Sequence, residues 1–186
     1  MTNKNVIWEP NEDFLQNSNI ALLMKKLNFT DYREFLDWSV KDIREFWEVI
    51  LEDMNFQWHK KYHTILDLNN GFPWAKWFLG GETNIVTNCL DRHVLSHRKD
   101  QVALIWESDE GNKISFTYNQ LSKKVNQLSN AMRNAGLKKG DVAGVFLPLL
   151  PEAVITMYAC FKNGIAVLPI FSGFGPEGLA ERLIHS

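Results

Sequence analysis

The chain has 186 residues, of which 45% are hydrophobic and 23% are charged, a composition typical of a globular protein with a buried core. The formal net charge of −2 argues against nucleic acid or an anionic membrane as a partner. No apolar stretch approaches the roughly 20 residues that span a bilayer. Acidic residues near the start argue against a signal peptide, so we expect a cytoplasmic protein.

The first part of the chain is predicted to be helical and rich in tryptophan. Residues 1–10 are expected to be extended, and residues 11–53 carry apolar residues at helical spacing. Ser39 and Asp42 have the spacing of a capping box before a helix whose apolar stripe runs from Ile43 to Leu51. We expect this stripe to pack against another domain surface, and an aromatic ligand cage is the alternative.

Residues 54–83 have no clear periodicity. Gly71–Gly81 is predicted to be an irregular aromatic segment with turn signals at both ends. Two pairs of histidines with HxxxH spacing raise the alternative of a zinc site: His59 with His63, and His93 with His97. The first pair lacks the Glu of HExxH and no cysteine has a suitable spacing, so we predict no metal site.

Residues Asn84–Val94 are predicted to form a helix with Ile85, Cys89 and Val94 near one face. Cys89 and Cys160 lie in apolar surroundings, which predicts reduced thiols in the core of a cytosolic protein. The strands that follow are predicted at Gln101–Trp106 and Lys113–Phe116, joined by a turn of hairpin chemistry.

A helix is predicted to follow the second of these strands. Thr117 and Gln120 have the pattern of a capping box, and Gly136 suits the position just after the helix. Its core face is expected to carry four apolar residues: Leu121, Val125, Leu128 and Met132.

The last part of the chain, Gly140–Arg182, is predicted to form a parallel βαβ unit. It reads as strand Val142–Leu147, helix Pro151–Lys162, strand Ile165–Ile170, loop Phe171–Gly175 and a further helix. We therefore expect an α/β fold, with a mainly parallel sheet and helices on its faces. Ligands of such sheets bind beyond the carboxyl ends of the strands, which makes the Phe171–Gly175 loop the candidate site.

Neither of the common phosphate-binding patterns, GxxxxGK[ST] and GxGxxG, occurs in the chain. Glu177, in the first turn after Pro176, complements the helix dipole and disfavours a tightly held phosphate there. Two interpretations of the loop stay open: a plain strand-to-helix turn, or a turn that lines a nucleotide or pantetheine groove. Ser172 has no GxSxG context, and no catalytic residue is predicted.

Several motifs, in order along the chain, resemble the adenylate-forming acyl-CoA synthetase superfamily. They are Thr117-Tyr118-x-x-Leu121, the Asn130-Ala131-x-Arg133-x-x-Gly136-x-x-Lys139-Gly140-Asp141 string, Leu147-Pro148-x-x-Pro151-Glu152-Ala153-Val154, and Phe171-Ser172-Gly173-Phe174 with Pro176-Glu177. Upstream, the Asn84–His93 string, the Trp-x-Pro opening, Ser39-Val40 and Phe46-Trp47 resemble the N-terminal extension of acetyl-CoA and, especially, acetoacetyl-CoA synthetases.

The resemblance implies a helical extension over residues 1–83 and, over residues 84–186, the first βαβ units of the AMP-binding α/β domain, left incomplete. It also implies a ligase that uses ATP, CoA, Mg²⁺ and a small-molecule carboxylic acid. The family's phosphate loop, metal carboxylate and mobile lysine cannot be matched here. We therefore expect an N-terminal fragment, inactive and without tightly bound cofactor unless the remainder of the synthetase joins it.

The family's counterpart of the Phe171 loop lies beside the CoA groove. The resemblance therefore makes Phe171, Ser172 and Gly173 the candidate CoA contacts. Leu168-Pro169 stands where acetyl-CoA synthetases usually carry a His-Ser pair, which weakens an assignment to acetate. The alternative function is a non-catalytic module, derived from a synthetase, that binds CoA, a nucleotide or a protein partner.

Overall fold

A computed structural model describes residues 7–186, whose elements lie in two units. The first unit comprises the described residues up to 56 together with 62–81, and the second comprises 57–61 and 82–186. The prediction of extended backbone for residues 1–6 lies outside the described residues. Just after them, the ring of Trp8 packs edge-on against Phe14, with the centroids 5.9 Å apart.

Four helices form the start of the first unit: α1 Glu12–Asn17, α2 Asn19–Lys26, α3 Tyr32–Lys41 and α4 Ile43–Asp53. The helical prediction for this region is confirmed, but the capping box at Ser39 is wrong. Asp42 caps α4 by accepting from the backbone N–H groups of Arg44 and Glu45. Ser39 lies inside α3, where its hydroxyl donates to the Leu36 carbonyl at 2.7 Å.

A hairpin completes the first unit. Strands β1 (Thr64–Asp67) and β2 (Lys76–Leu79) pair antiparallel, and a 3₁₀ turn, Phe72–Trp74, lies between them. The sequence predicted only an irregular segment here. The four residues of β2 are too few for a clear alternation, and Phe78 within it has a positive φ of 50°.

The aromatic stripe of α4 packs on other rings of the same unit. Phe46 meets Trp38 with centroids 5.8 Å apart, and Trp47 meets Trp77 at 6.3 Å, both edge to face. Such mutual contacts are those of a packed aromatic cluster rather than of a ligand cage. The rings that the stripe meets belong to its own unit, whereas the sequence pattern predicted packing against the surface of another domain.

The second unit begins with a helix that contains a π-helical turn. Thr87–Asp91 is π-helical and leads into α5, Arg92–Val94. The predicted helix is therefore present, but its predicted buried face is wrong: Val86 and Leu90 are each 1% exposed, whereas Ile85 is 45% exposed. The wider π turn adds a residue and changes the phase on which an α-helical pattern relies.

The predicted burial of the two cysteines is confirmed for Cys160 and wrong for Cys89. Both thiols are free, but Cys89 is exposed because it lies on the outer side of the π-helical turn. Its apolar sequence neighbours face the core instead.

The next three elements follow the sequence closely. Strands β3 (Val102–Glu107) and β4 (Lys113–Thr117) form an antiparallel pair, and α6 spans Tyr118–Asn134. Both bonds of the predicted capping box are present between Thr117 and Gln120, at 3.2 and 2.8 Å. The core of the unit forms where α6 and the next helix meet the π-helical turn, from Val86, Leu90, Leu121, Val125, Ile155 and Ala159.

The predicted parallel unit is present as β5 (Val142–Phe146), α7 (Pro151–Asn163) and β6 (Ala166–Ile170), followed by α8 (Pro176–Ile184). The fold class is therefore α/β, as predicted. Parallel pairing in residues 7–186 is confined to β5 and β6, since the other two pairs are antiparallel. Within the same residues, no helix combines the length and apolar character that a membrane span requires.

Candidate functional site

The carboxyl ends of β5 and β6 lie side by side, because Phe146 pairs with Ile170 in the parallel register. Two loops therefore start next to each other: residues 147–150, which lead into α7, and residues 171–175, which lead into α8. We call these two loops the carboxyl edge. They occupy the position where open α/β sheets bind ligands.

The 171–175 loop is a tight turn with an exposed ring. The Phe174 N–H donates to the Phe171 carbonyl at 3.1 Å, and the two rings meet edge to face with centroids 5.7 Å apart. A Cβ on Gly173 would lie 2.5 Å from the Phe171 ring, so glycine lets that ring lie over the turn. Phe171 remains 70% exposed, and Ser172 is also exposed.

Helix α8 supports this loop. Gly175 is its N-cap, Pro176 takes the first position and Glu177 lies in the first turn, as predicted. The guanidinium carbon of Arg182 lies 3.7 Å from the centre of the Phe174 ring. The Glu177 carboxylate next to the helix start disfavours a phosphate at that end.

The 147–150 loop is held by a residue of the hairpin. The indole N–H of Trp106 donates to the Leu149 carbonyl at 2.7 Å. Leu149 is itself 94% exposed, so the bond fixes the backbone while the side chain points to solvent. The carboxyl edge thus presents exposed apolar side chains on an ordered backbone.

Helix α8 also lies on one face of the β5–β6 pair. A Cβ added to Gly144 of β5 would come within 2.7 Å of Leu183 and 3.4 Å of Ile170. The short side chain at position 144 therefore lets α8 approach the strands, and this contact positions the loop that precedes the helix.

The titratable groups with displaced pKa values lie outside the carboxyl edge, and two of them, Tyr158 and Cys160, are in α7. Burial raises the pKa of the Cys160 thiol, which keeps it protonated and unreactive. Burial, followed by the nearby Cys89 and Tyr118, raises the pKa of Tyr158. Neither group has the lowered pKa of an activated nucleophile.

The histidine pairs considered as zinc ligands have other neighbours. The His63 Nδ1 lies 3.0 Å from the Thr64 hydroxyl, and the His93 ring packs on Tyr118 with centroids 4.7 Å apart. Among residues 7–186, no three His, Cys, Asp or Glu side chains are grouped so that they could hold a metal ion.

Two supporting residues of the carboxyl edge were missed at the sequence level. Trp106 reaches Leu149 from a separate hairpin, 43 positions away, and nothing in the sequence indicates that pairing. The bond of Arg182 to the Gly178 carbonyl is within reach of sequence reasoning, because the two residues lie one helical turn apart. The stacking of Arg182 on Phe174 is not, because it depends on the conformation of the loop.

Comparisons with known proteins agree along the chain. The family described as AMP-binding enzyme matches residues 90–186, and the family described as acetyl-coenzyme A synthetase N-terminus matches residues 32–89. The acetyl-coenzyme A synthetase of Methanothrix soehngenii is 36% identical over 183 residues, which cover 96% of this chain and 27% of that protein. The enzyme of the same name from Chlorobaculum tepidum is 37% identical over 179 residues, with 96% and 26% covered.

A solved structure, acetoacetyl-CoA synthetase from Streptomyces lividans, matches with a TM-score of 0.85 at 23% identity. The match covers 95% of this chain and 28% of that one, and it shows a shared fold. The chain thus spans about a quarter of the length of the curated relatives named above.

Proposed function

Because this chain belongs to the AMP-binding enzyme family, whose match covers residues 90–186, we propose that it forms the N-terminal part of an AMP-forming acyl-CoA synthetase. The observation that carries the proposal is the match to acetyl-coenzyme A synthetases along 96% of the chain. In this proposal residues 1–83 are the N-terminal extension, and residues 84–186 begin the AMP-binding domain.

The proposed reaction has two steps. A carboxylate oxygen of the acid attacks the α-phosphate of ATP and displaces pyrophosphate, which gives an acyl-adenylate. The thiol of CoA then attacks the acyl carbonyl, loses its proton, and displaces AMP to form the thioester. Mg²⁺ would accompany ATP, and we assign its ligands to the remainder of the synthetase.

The part that we assign to this chain is one wall of the CoA groove. Phe171, Ser172 and Gly173 are the proposed contacts, supported by the 70% exposure of the Phe171 ring and by the glycine at 173, which lets that ring lie over the turn. An aromatic ring on an ordered loop offers a flat apolar surface at low entropic cost. The proposal assigns no residue of this chain to bond making or breaking.

The partners in this proposal are the remainder of the synthetase and a small-molecule carboxylic acid, in the cytoplasm. The two free cysteines support a reducing compartment. The relatives named above are synthetases, so the alternative of a non-catalytic binding module is not favoured.

The test joins residues 1–186 to the remaining three-quarters of the Methanothrix soehngenii enzyme in one chimeric chain. We expect this chimera to release pyrophosphate when supplied with ATP and acetate or acetoacetate, and residues 1–186 alone to release none. Turnover by residues 1–186 alone, or a folded chimera that makes no adenylate with any short-chain acid, would contradict the proposal.

A matched pair of variants tests the CoA contacts. Phe171→Ala in the chimera should raise the KM for CoA by about two- to ten-fold, which is the range expected for one lost aromatic contact. It should leave the exchange of pyrophosphate into ATP unchanged, because that exchange does not involve CoA. Phe72→Ala, at an exposed ring of the first unit, is the control and should change neither. If Phe171→Ala changed the pyrophosphate–ATP exchange but not the KM for CoA, the loop would contribute to adenylate formation instead of CoA binding.

A further inference from the structure

Arg182 and Phe174 form a stacked pair at the carboxyl edge. The guanidinium carbon lies 3.7 Å from the ring centre, which is within the range of a cation–π contact. One nitrogen of the same guanidinium donates to the Gly178 carbonyl at 2.7 Å. This bond, one helical turn back along α8, fixes the guanidinium over the ring.

Phe174 in turn contacts Phe171, the first of the three candidate CoA contacts. Its ring meets Phe171 edge to face at 5.7 Å and an interplanar angle of 87°. Its N–H closes the turn by donating to the Phe171 carbonyl at 3.1 Å. The residues between them, Ser172 and Gly173, are therefore held by contacts at both ends of the turn.

We propose that Arg182 is a positioning residue, which holds Phe171–Gly173 in a ligand-ready arrangement by covering the ring of Phe174. The inference rests on the proposed function, in which these three residues contact CoA. In this role Arg182 increases the fraction of molecules whose loop is ordered. The apparent affinity for CoA is proportional to that fraction. Loss of the stacked pair should therefore weaken CoA binding by the same factor as it lowers the ordered fraction.

A different role for Arg182 makes a different prediction. A guanidinium near the loop could attract the phosphates of CoA directly, as an exposed positive charge. In that case the ring of Phe174 would be irrelevant to the effect of Arg182, and the effects of changing the two residues would add.

The first experiment needs no ligand and uses the full 186-residue chain. Hydrogen exchange of the Phe174 amide, resolved by NMR and corrected for intrinsic rates, reports closure of the turn. Arg182→Gln and Phe174→Leu should each speed this exchange by about two- to five-fold, as expected for an exposed cation–π pair. The double variant should be no faster than the faster single variant.

Two controls keep the result interpretable. Phe174→Tyr keeps the ring and should keep the slow exchange, while Lys123→Gln removes an exposed positive charge from α6 and should have no effect on the loop. The amide of Val125, a residue that is 0% exposed, reports in the same spectra whether each variant is folded. Unchanged exchange at Phe174 in Arg182→Gln would overturn the proposal.

The second experiment titrates millimolar CoA into the same samples. Arg182→Gln should weaken the CoA-dependent shifts of Ser172 and Gly173 by two- to five-fold in affinity, and should cause no further loss in the Phe174→Leu background. Additive losses would overturn the positioning role in favour of direct attraction. If the loop of the isolated chain shows no shift with CoA, the KM for CoA of the chimera decides, and an Arg182→Gln chimera with the KM of the unmodified chimera would overturn the proposal.

Discussion

Lys162 donates to both carboxylate oxygens of Asp91 at 2.9 Å and so joins the last turn of α7 to the π-helical turn. Both side chains are about two-thirds buried, at 28% and 33% exposed. The Asn84 side-chain amide adds a second link by donating to the Phe161 carbonyl at 2.8 Å. These polar bonds surround the apolar contact between α7 and the π-helical turn.

Removal of this ion pair should lower stability measurably. We expect Asp91→Ala to reduce the free energy of unfolding by about 1 kcal/mol, because a charge-assisted pair loses its partner in a partly desolvated place. Urea unfolding monitored by circular dichroism gives the value. Glu107→Ala is the matched control, since its pair with Lys113 is exposed at 53% and 64% and should contribute less than about 0.5 kcal/mol. Equal losses in the two variants would show that burial does not distinguish these pairs.

At position 164, which ends α7, any residue other than glycine should lower the stability of the fold. Gly164 has a φ of +70°, and a Cβ there would lie 2.9 Å from Lys139. We therefore expect Gly164→Ala to lower the unfolding free energy by about 1–2 kcal/mol. Gly164→Asn should cost less, because asparagine tolerates the left-handed region better. Thermal unfolding of the two variants beside the wild type tests this order, and an alanine variant as stable as the wild type would contradict it.

A pH effect on stability is expected from His93. Burial, and then the neighbouring Arg92 and Arg98, lower the pKa of this imidazole below its ordinary value. Between the two pKa values the unfolded chain binds more protons, so stability should fall as the pH decreases below about 6.5 and level off below the folded-state pKa.

His93→Gln should therefore lose less stability than the wild type between pH 7.5 and pH 5, when both are compared by urea unfolding at the two values. Carboxylates elsewhere in the chain titrate in both proteins, so the difference between the proteins isolates the imidazole. An identical loss in both would mean that His93 binds its proton equally well in the folded and unfolded states.

The bond from Trp106 to Leu149 should control the mobility of the 147–150 loop. Trp106→Phe keeps an aromatic ring but removes the indole N–H, so we expect faster hydrogen exchange in that loop. The loss of global stability should stay below about 1 kcal/mol, because the freed carbonyl is accessible to water. Exchange in the 171–175 loop serves as the internal control and should not change. Unaltered exchange in 147–150 would show that the bond does not hold the loop.

The sequence predicted those elements whose local signals agree with their packing. The Thr117 capping box, the apolar spacing of α6 and the glycine that ends it specify that helix without any distant residue. The parallel unit was equally clear, because two short apolar runs alternate with a helix that starts at a proline. Local propensity and tertiary packing coincide in these segments.

The errors arose where tertiary contacts override the local pattern. Cys89 was assigned to the core on an α-helical phase, which the π-helical turn shifts. Strand β2 was missed because its pairing with β1 is set across a loop. The supports of the carboxyl edge, Trp106 and Arg182, bond to a backbone carbonyl and to a ring face, and neither partner has a distinctive signal in sequence.

The π-helical turn at Thr87–Asp91 has an evolutionary consequence. A π turn accommodates one residue more than an α turn, so a single-codon deletion at exposed Cys89 could relax the segment to regular helix. Val86 and Leu90 would then be three positions apart, a spacing that still places both on one helical face. This segment is therefore a place where the family could gain or lose one residue of length while the core beneath it is preserved.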